Sequence, residues 1–135
     1  MRARWFCYRG AMTRVLLIGF DPSLVDLSAA PGLTAETIRT TLDRELAAIR
    51  AAGYDARWLL TDTGETAEAV VRAALAEQAY DIVLIGAGIR VLPPYFEVFE
   101  RLINAVHEGA PRAKICFNTK PDDTLAAVER WGRRA

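Results

Sequence analysis

A three-layer α/β sandwich around a four-stranded parallel sheet follows from two features of this 135-residue chain. Short aliphatic runs alternate with longer segments of helical period, which is the pattern of a βα repeat. Two of those runs, RVLLIG (14–19) and DIVLIG (81–86), are apolar without alternation, as strands covered on both faces must be. With right-handed crossovers between parallel strands, the simplest spatial order is 2-1-3-4, with helices on both faces.

The first strand, RVLLIG, is central. After a loop containing Pro22 and Pro31, Thr34 caps a helix whose apolar positions are Ile38, Leu42, Leu46 and Ile49, and Gly53 stops it. DARWLLT (55–61) is the second strand. Thr63 to Thr66 then open an alanine-rich helix carrying Val70, Val71 and Leu75 on one side and ending near Ala79. The third strand, 81–86, runs into a glycine-rich turn. After Pro93-Pro94 comes a helix presenting Phe96, Phe99, Ile103 and Val106. AKICFN (113–118) is the fourth strand, and Pro121 to Thr124 start a final helix with Leu125, Val128 and Trp131 as its stripe.

Composition bounds the function. Seventeen basic residues balance seventeen acidic ones, which gives no reason to expect a nucleic-acid partner or an anionic membrane. Arg2, Arg4 and Arg9 fall in the first eleven residues without an acid, so the remainder is mildly acidic. Cys7 and Cys116 form neither a disulfide framework nor a metal-ligand spacing, and this usage fits a reducing cytoplasm. No segment reads as a signal peptide or a membrane span. Residues 12–135 read as one domain. Met12 is a candidate start, which would make 1–11 a leader; the same segment is apolar enough to lie along a sheet edge.

In such a sheet, ligands gather at the carboxyl ends of the strands, here loops 20–33, 62–66, 87–94 and 118–123. The stretches VLLIGFDP, AAGYDARWLLTDTGETAEAV and YDIVLIG followed by YFEVFERLINAVHEGAPRAKICFNT resemble, in order and length, a response-regulator receiver domain of flavodoxin-like fold. The resemblance spans roughly 14–119. It implies a phosphoacceptor aspartate at the position of Gly86 and a metal-binding acidic pair at Gly19 and Phe20, with only Asp21 nearby. It also places the family's threonine or serine near Asn118 or Thr119. Lys120-Pro121 follows strand four with no fifth strand before it. Phosphoryl transfer to aspartate needs a carboxylate nucleophile and carboxylates around a divalent ion, which glycine cannot supply.

Two uses remain for Gly86-Ala87-Gly88: close approach of backbone N–H groups to an anion or nucleotide, or tight packing of strand against loop. Arg90 beside it would clamp a phosphate or carboxylate, or be a solvated loop arginine. Asp21, Asp26, Asp62 and Glu65 would converge on a cation, or cap turns and helices. Asn118 and Thr119 suit polar contact with a ligand or tying of their own loop. His107 has no nucleophile motif beside it, and Cys116 reads as a core residue.

Strand four would form an apolar sheet edge that needs cover, from residues 4–9 or from a second copy in a homodimer packed on that side. Two functional readings follow. One is a non-catalytic receiver-like binding or interaction module, with a filled carboxyl edge. The other is a small enzyme or metabolite-binding protein with a polar pocket for a small anionic ligand, built from Asp21, Gly86, Gly88, Arg90, Asn118 and Thr119. No cofactor is indicated by any motif.

Overall fold

The computed structural model describes residues 12–28 and 30–132. Strands β1 (Arg14–Phe20), β2 (Asp55–Thr61), β3 (Ile82–Ile85) and β4 (Lys114–Phe117) form one parallel sheet in the order β2-β1-β3-β4. The expected 2-1-3-4 α/β sandwich is the observed one. Register runs Val15 to Ala56 on one side of β1 and Val15 to Ile82 on the other, so the carboxyl ends of β1 and β3 lie level.

Among the described residues five helices flank the sheet: α1 (Ala35–Ala51), α2 (Ala67–Glu77), the short α3 (Ala87–Arg90), α4 (Phe96–Gly109) and α5 (Thr124–Gly132). Alternation along β1 divides the core. Leu16, Ile18 and Phe20 pack with Val71 and Leu75 of α2 and Leu102, Ala105 and Val106 of α4. Val15 and Leu17 pack on the other face with Ile49 of α1 and Ala127 and Val128 of α5. Cys116 joins this second cluster, where burial pushes its thiol pKa up to about 12 against a small opposing pull from Arg130. It is an inert core residue.

Helix α1 begins as expected. Thr34 Oγ1 accepts from the Thr37 amide at 3.1 Å, and Thr37 Oγ1 accepts from the Thr34 amide at 3.1 Å. This reciprocal cap contributes about 1 kcal/mol. Gly53, just past the end, has φ +103°, a conformation other residues adopt only under strain.

Several finer expectations need correction. Val70 is exposed, and α2 buries Ala67, Val71, Ala74 and Leu75 instead. The adjacent valines point about 100° apart on a helix, so only one can face the sheet. That helix ends at Glu77, before Ala79. Phe96 is 61% exposed because it is the first residue of α4 and precedes the turn that docks. The stretch 87–90, expected as a loop, is a helical turn, followed by a 3-10 turn at Pro93–Tyr95.

Each outer strand gives one backbone carbonyl to an arginine. Arg50 Nε donates to the Ala56 oxygen of β2 at 3.0 Å, and Arg130 Nη2 donates to the Phe117 oxygen of β4 at 2.9 Å. Residues 4–9, one of the two expected covers for β4, lie outside the described residues. Among the described residues no helix is long and apolar enough to cross a membrane.

Candidate functional site

At the carboxyl end of the sheet Gly19, the last β1 residue on the α1 face, stands level with Gly86, the residue just past β3. The Gly86 amide donates to the Ile18 oxygen at 2.8 Å. Both glycines are fixed by close approach, and neither needs a positive φ. A Cβ on Gly86 would sit 3.2 Å from the Ile18 oxygen, and one on Gly19 would sit 3.3 Å from the Trp58 ring. The Trp58 indole is held over Gly19 by its Nε1, which donates to the Leu42 oxygen at 3.1 Å.

With no side chains rising from these two positions, a cavity of about 260 Å³ opens above them. Its walls are Pro22, Val25 and Leu33 from the loop after β1, Ile38 and Leu42 from α1, and Trp58 from β2. Ala87, Gly88, Val91 and Leu92 close it on the α3 side, and residues 118–121 close it on the β4 side. The lining is almost all carbon. Leu33 and Val91, 48% and 60% exposed, stand at its mouth.

The six candidate residues meet this cavity unequally. Gly86, Gly88, Asn118 and Thr119 line it; Asp21 and Arg90 are not among its lining residues. Gly88 is the open position, since a Cβ there would meet nothing within 4 Å.

Arg90 points into the protein's own backbone. Its Nη1 donates to the Ile85 oxygen at 2.8 Å and to Asn118 Oδ1 at 3.4 Å, and its Nη2 donates to the Asn118 oxygen. The guanidinium also lies 5.1 Å from the centre of the Phe117 ring. It joins the ends of β3 and β4. Burial lowers its pKa, while the charge of Asp123 acts in the opposite direction.

Asn118, only 2% exposed, has its amide nitrogen on Thr124 Oγ1 at 3.0 Å. Thr119 donates from both its amide and its hydroxyl to Asp123. Partial burial raises the Asp123 pKa, but the hydrogen bonds from Thr119 and Lys120 and the Lys120 charge outweigh it, leaving the carboxyl below its ordinary value.

The acidic residues stay apart and serve their own turns. Asp21 accepts from the Ser23 amide and hydroxyl and from Arg39 at 2.7 Å, and these partners hold its pKa low. Asp26 accepts from the Ser28 amide, and Asp62 accepts from Gly64 and Thr66. Among the described residues no group of three or more acidic, histidine or cysteine side chains is placed to hold a metal ion.

The two arrangements expected from sequence were a polar pocket or a filled edge. The edge is open and its pocket is apolar. The walls that sequence reading missed, Val25, Leu33, Val91 and Leu92, lie in loops and short turns without period; the exposed apolar residues of those loops were the available signal. No protein-family model matches the chain, and no curated protein matches it.

Proposed function

We propose that this chain is a non-catalytic binding domain whose ligand is a small, mostly apolar molecule seated between the ends of β1 and β3. The observation that carries this reading is the 260 Å³ carbon-lined cavity at the point where strand order reverses. An apolar cavity of about 150 Å³ already accepts benzene, so this one has room for a bicyclic ring or a medium acyl chain. The apolar residues at its mouth add surface that such a ligand would remove from water.

The receiver resemblance supports the non-catalytic part. The cavity floor is where a receiver would carry its phosphoacceptor and acidic pair, and here Gly86, Gly19 and Phe20 bring no carboxylate. In this proposal a scaffold for phosphoryl chemistry has become a holder of an apolar group. Self-association, where it occurs, would use the β4 side, and the mass in solution tests it.

Calorimetric titration with straight-chain alcohols tests the reading. Affinity should rise roughly fourfold per methylene from 1-hexanol to 1-octanol, as each buried methylene contributes about 0.8 kcal/mol. At about a hundred times the dissociation constant, 1-octanol should stabilise the fold by about 2.7 kcal/mol. No binding by any of the series to the folded protein would overturn the proposal.

A further inference from the structure

The cavity does not end at its apolar mouth. Leu33, Ile38, Lys120 and Pro121 also wall a second depression of about 310 Å³, so the two share a rim and join the glycine floor to the surface. Their chemistry differs. The outer depression is lined by Thr37, Thr41, Arg44, Lys120 and Asp122 besides the shared residues.

Arg44 takes no part in an ion pair or side-chain hydrogen bond among the described residues. The Lys120 ammonium lies 3.7 Å from an Asp122 oxygen, with both side chains more than half exposed, and such a pair contributes little. Among the residues that line the outer depression, two cations stand against one carboxylate, with Asp123 behind Lys120 held by the Thr119 and Lys120 amides. The carboxylates beside the inner cavity are already engaged, Asp21 by Ser23 and Arg39 and Asp123 by Thr119 and Lys120.

We infer that the ligand is a small amphipathic organic anion, its apolar body in the inner cavity and a single negative head between Arg44 and Lys120. This rests on the proposed apolar-ligand reading and adds the chemistry of the head. A neutral head would leave both cations to water. A second negative charge on the body would face carbon and would cost its hydration without a partner.

Octanoate and 1-octanol, matched in chain and different in head, provide the test by calorimetric titration at low salt. Octanoate should bind at least tenfold more tightly, which corresponds to about 1.4 kcal/mol. The advantage should shrink in high salt. In the double variant Arg44→Met with Lys120→Met it should disappear, so that the two probes bind within twofold of each other; both positions are exposed, so the fold should tolerate the change. In Gly88→Leu, which adds a branched side chain to a residue lining the inner cavity, both probes should lose affinity.

Equal affinity of the two probes, or an octanoate advantage that survives the double variant, overturns the anionic head while leaving the apolar cavity standing. Octanoate binding that persists in Gly88→Leu also overturns it, because the charge would then be held at the surface alone. Binding by neither probe overturns the cavity reading itself.

Discussion

At the carboxyl end of the sheet, the two faces of β1 and β3 finish differently. Toward α2 and α4 the strands carry side chains to the last position: Phe20 and Ile85 are buried, and the Phe20 ring meets Tyr95 edge-on at 4.9 Å between centres. Tyr95 in turn accepts from the Asp26 amide at 3.1 Å, which ties the loop after β1 to this face. Toward α1 and α5 the same strands end in Gly19 and Gly86, and a cavity takes the place of packing. A hollow of ligand size therefore requires no inserted loop or extra domain. It requires two side chains to be missing, level with each other, on adjacent strands.

The largest test of this contrast is a matched pair of truncations. Leu102→Ala on the filled face should cost about 2–5 kcal/mol, as expected for a fully buried leucine in tight packing. Leu42→Ala borders a space that already exists, and should cost at least about 1 kcal/mol less. Urea unfolding measures both, and equal losses would break the comparison.

The next effect concerns what holds the hollow open. Arg90→Met leaves the Ile85 and Asn118 oxygens without their donor, and should cost about 1–3 kcal/mol in urea unfolding. It should leave 1-octanol affinity nearly unchanged, because the guanidinium joins strand ends and does not line the cavity. Arg90→Lys should recover only part of the loss, since an ammonium lacks the planar fork that reaches two carbonyls. A large loss of binding with little loss of stability would turn Arg90 back into a ligand contact.

Gly88→Leu reverses the usual sign for a bulky substitution. The position is helical and open, so thermal stability should stay level or rise by up to about 1 kcal/mol while the inner cavity closes to ligand. Destabilisation there would mean that the hollow is narrower than its walls imply.

The smallest effect is on the acid side. Asp123 is held below its ordinary value of 3.8, so the folded state binds its proton less readily than the unfolded chain. Its contribution is complete above the unfolded pKa and is lost as pH falls from about 4 through the lower native value. Melting temperatures taken from pH 5 to 2.5 should fall less steeply in Asp123→Asn than in the wild type.

The framework of this architecture was legible because it rests on long signals. DARWLLT and RVLLIG gave β2 and the core of β1, and Thr34 with Gly53 bracketed α1, because caps and apolar runs act over neighbouring residues. The stretch 87–90 carries no helical signal in sequence, because four residues are too few to show a period. Arg90 was ambiguous for another reason. Its partners Ile85 and Asn118 are set by strand register, and Asn118 lies twenty-eight residues away in sequence. Likewise, the sequence marks Gly19 only as the place of a receiver's acidic pair, and its part in the cavity floor depends on Gly86 standing level with it. A missing side chain acquires meaning only through what faces it.

The arginines on the outer strands have a consequence for how the molecule would fail. Arg50 belongs to the last turn of α1 and Arg130 to α5, so each plug on a strand edge is anchored in a helix that also covers a sheet face. When α5 frays, the Phe117 carbonyl loses its donor as Val128 leaves the core. Apolar surface and an unpaired edge carbonyl are then exposed together. Fraying of α5 would thus uncover part of the second core cluster and free the Phe117 carbonyl in one opening.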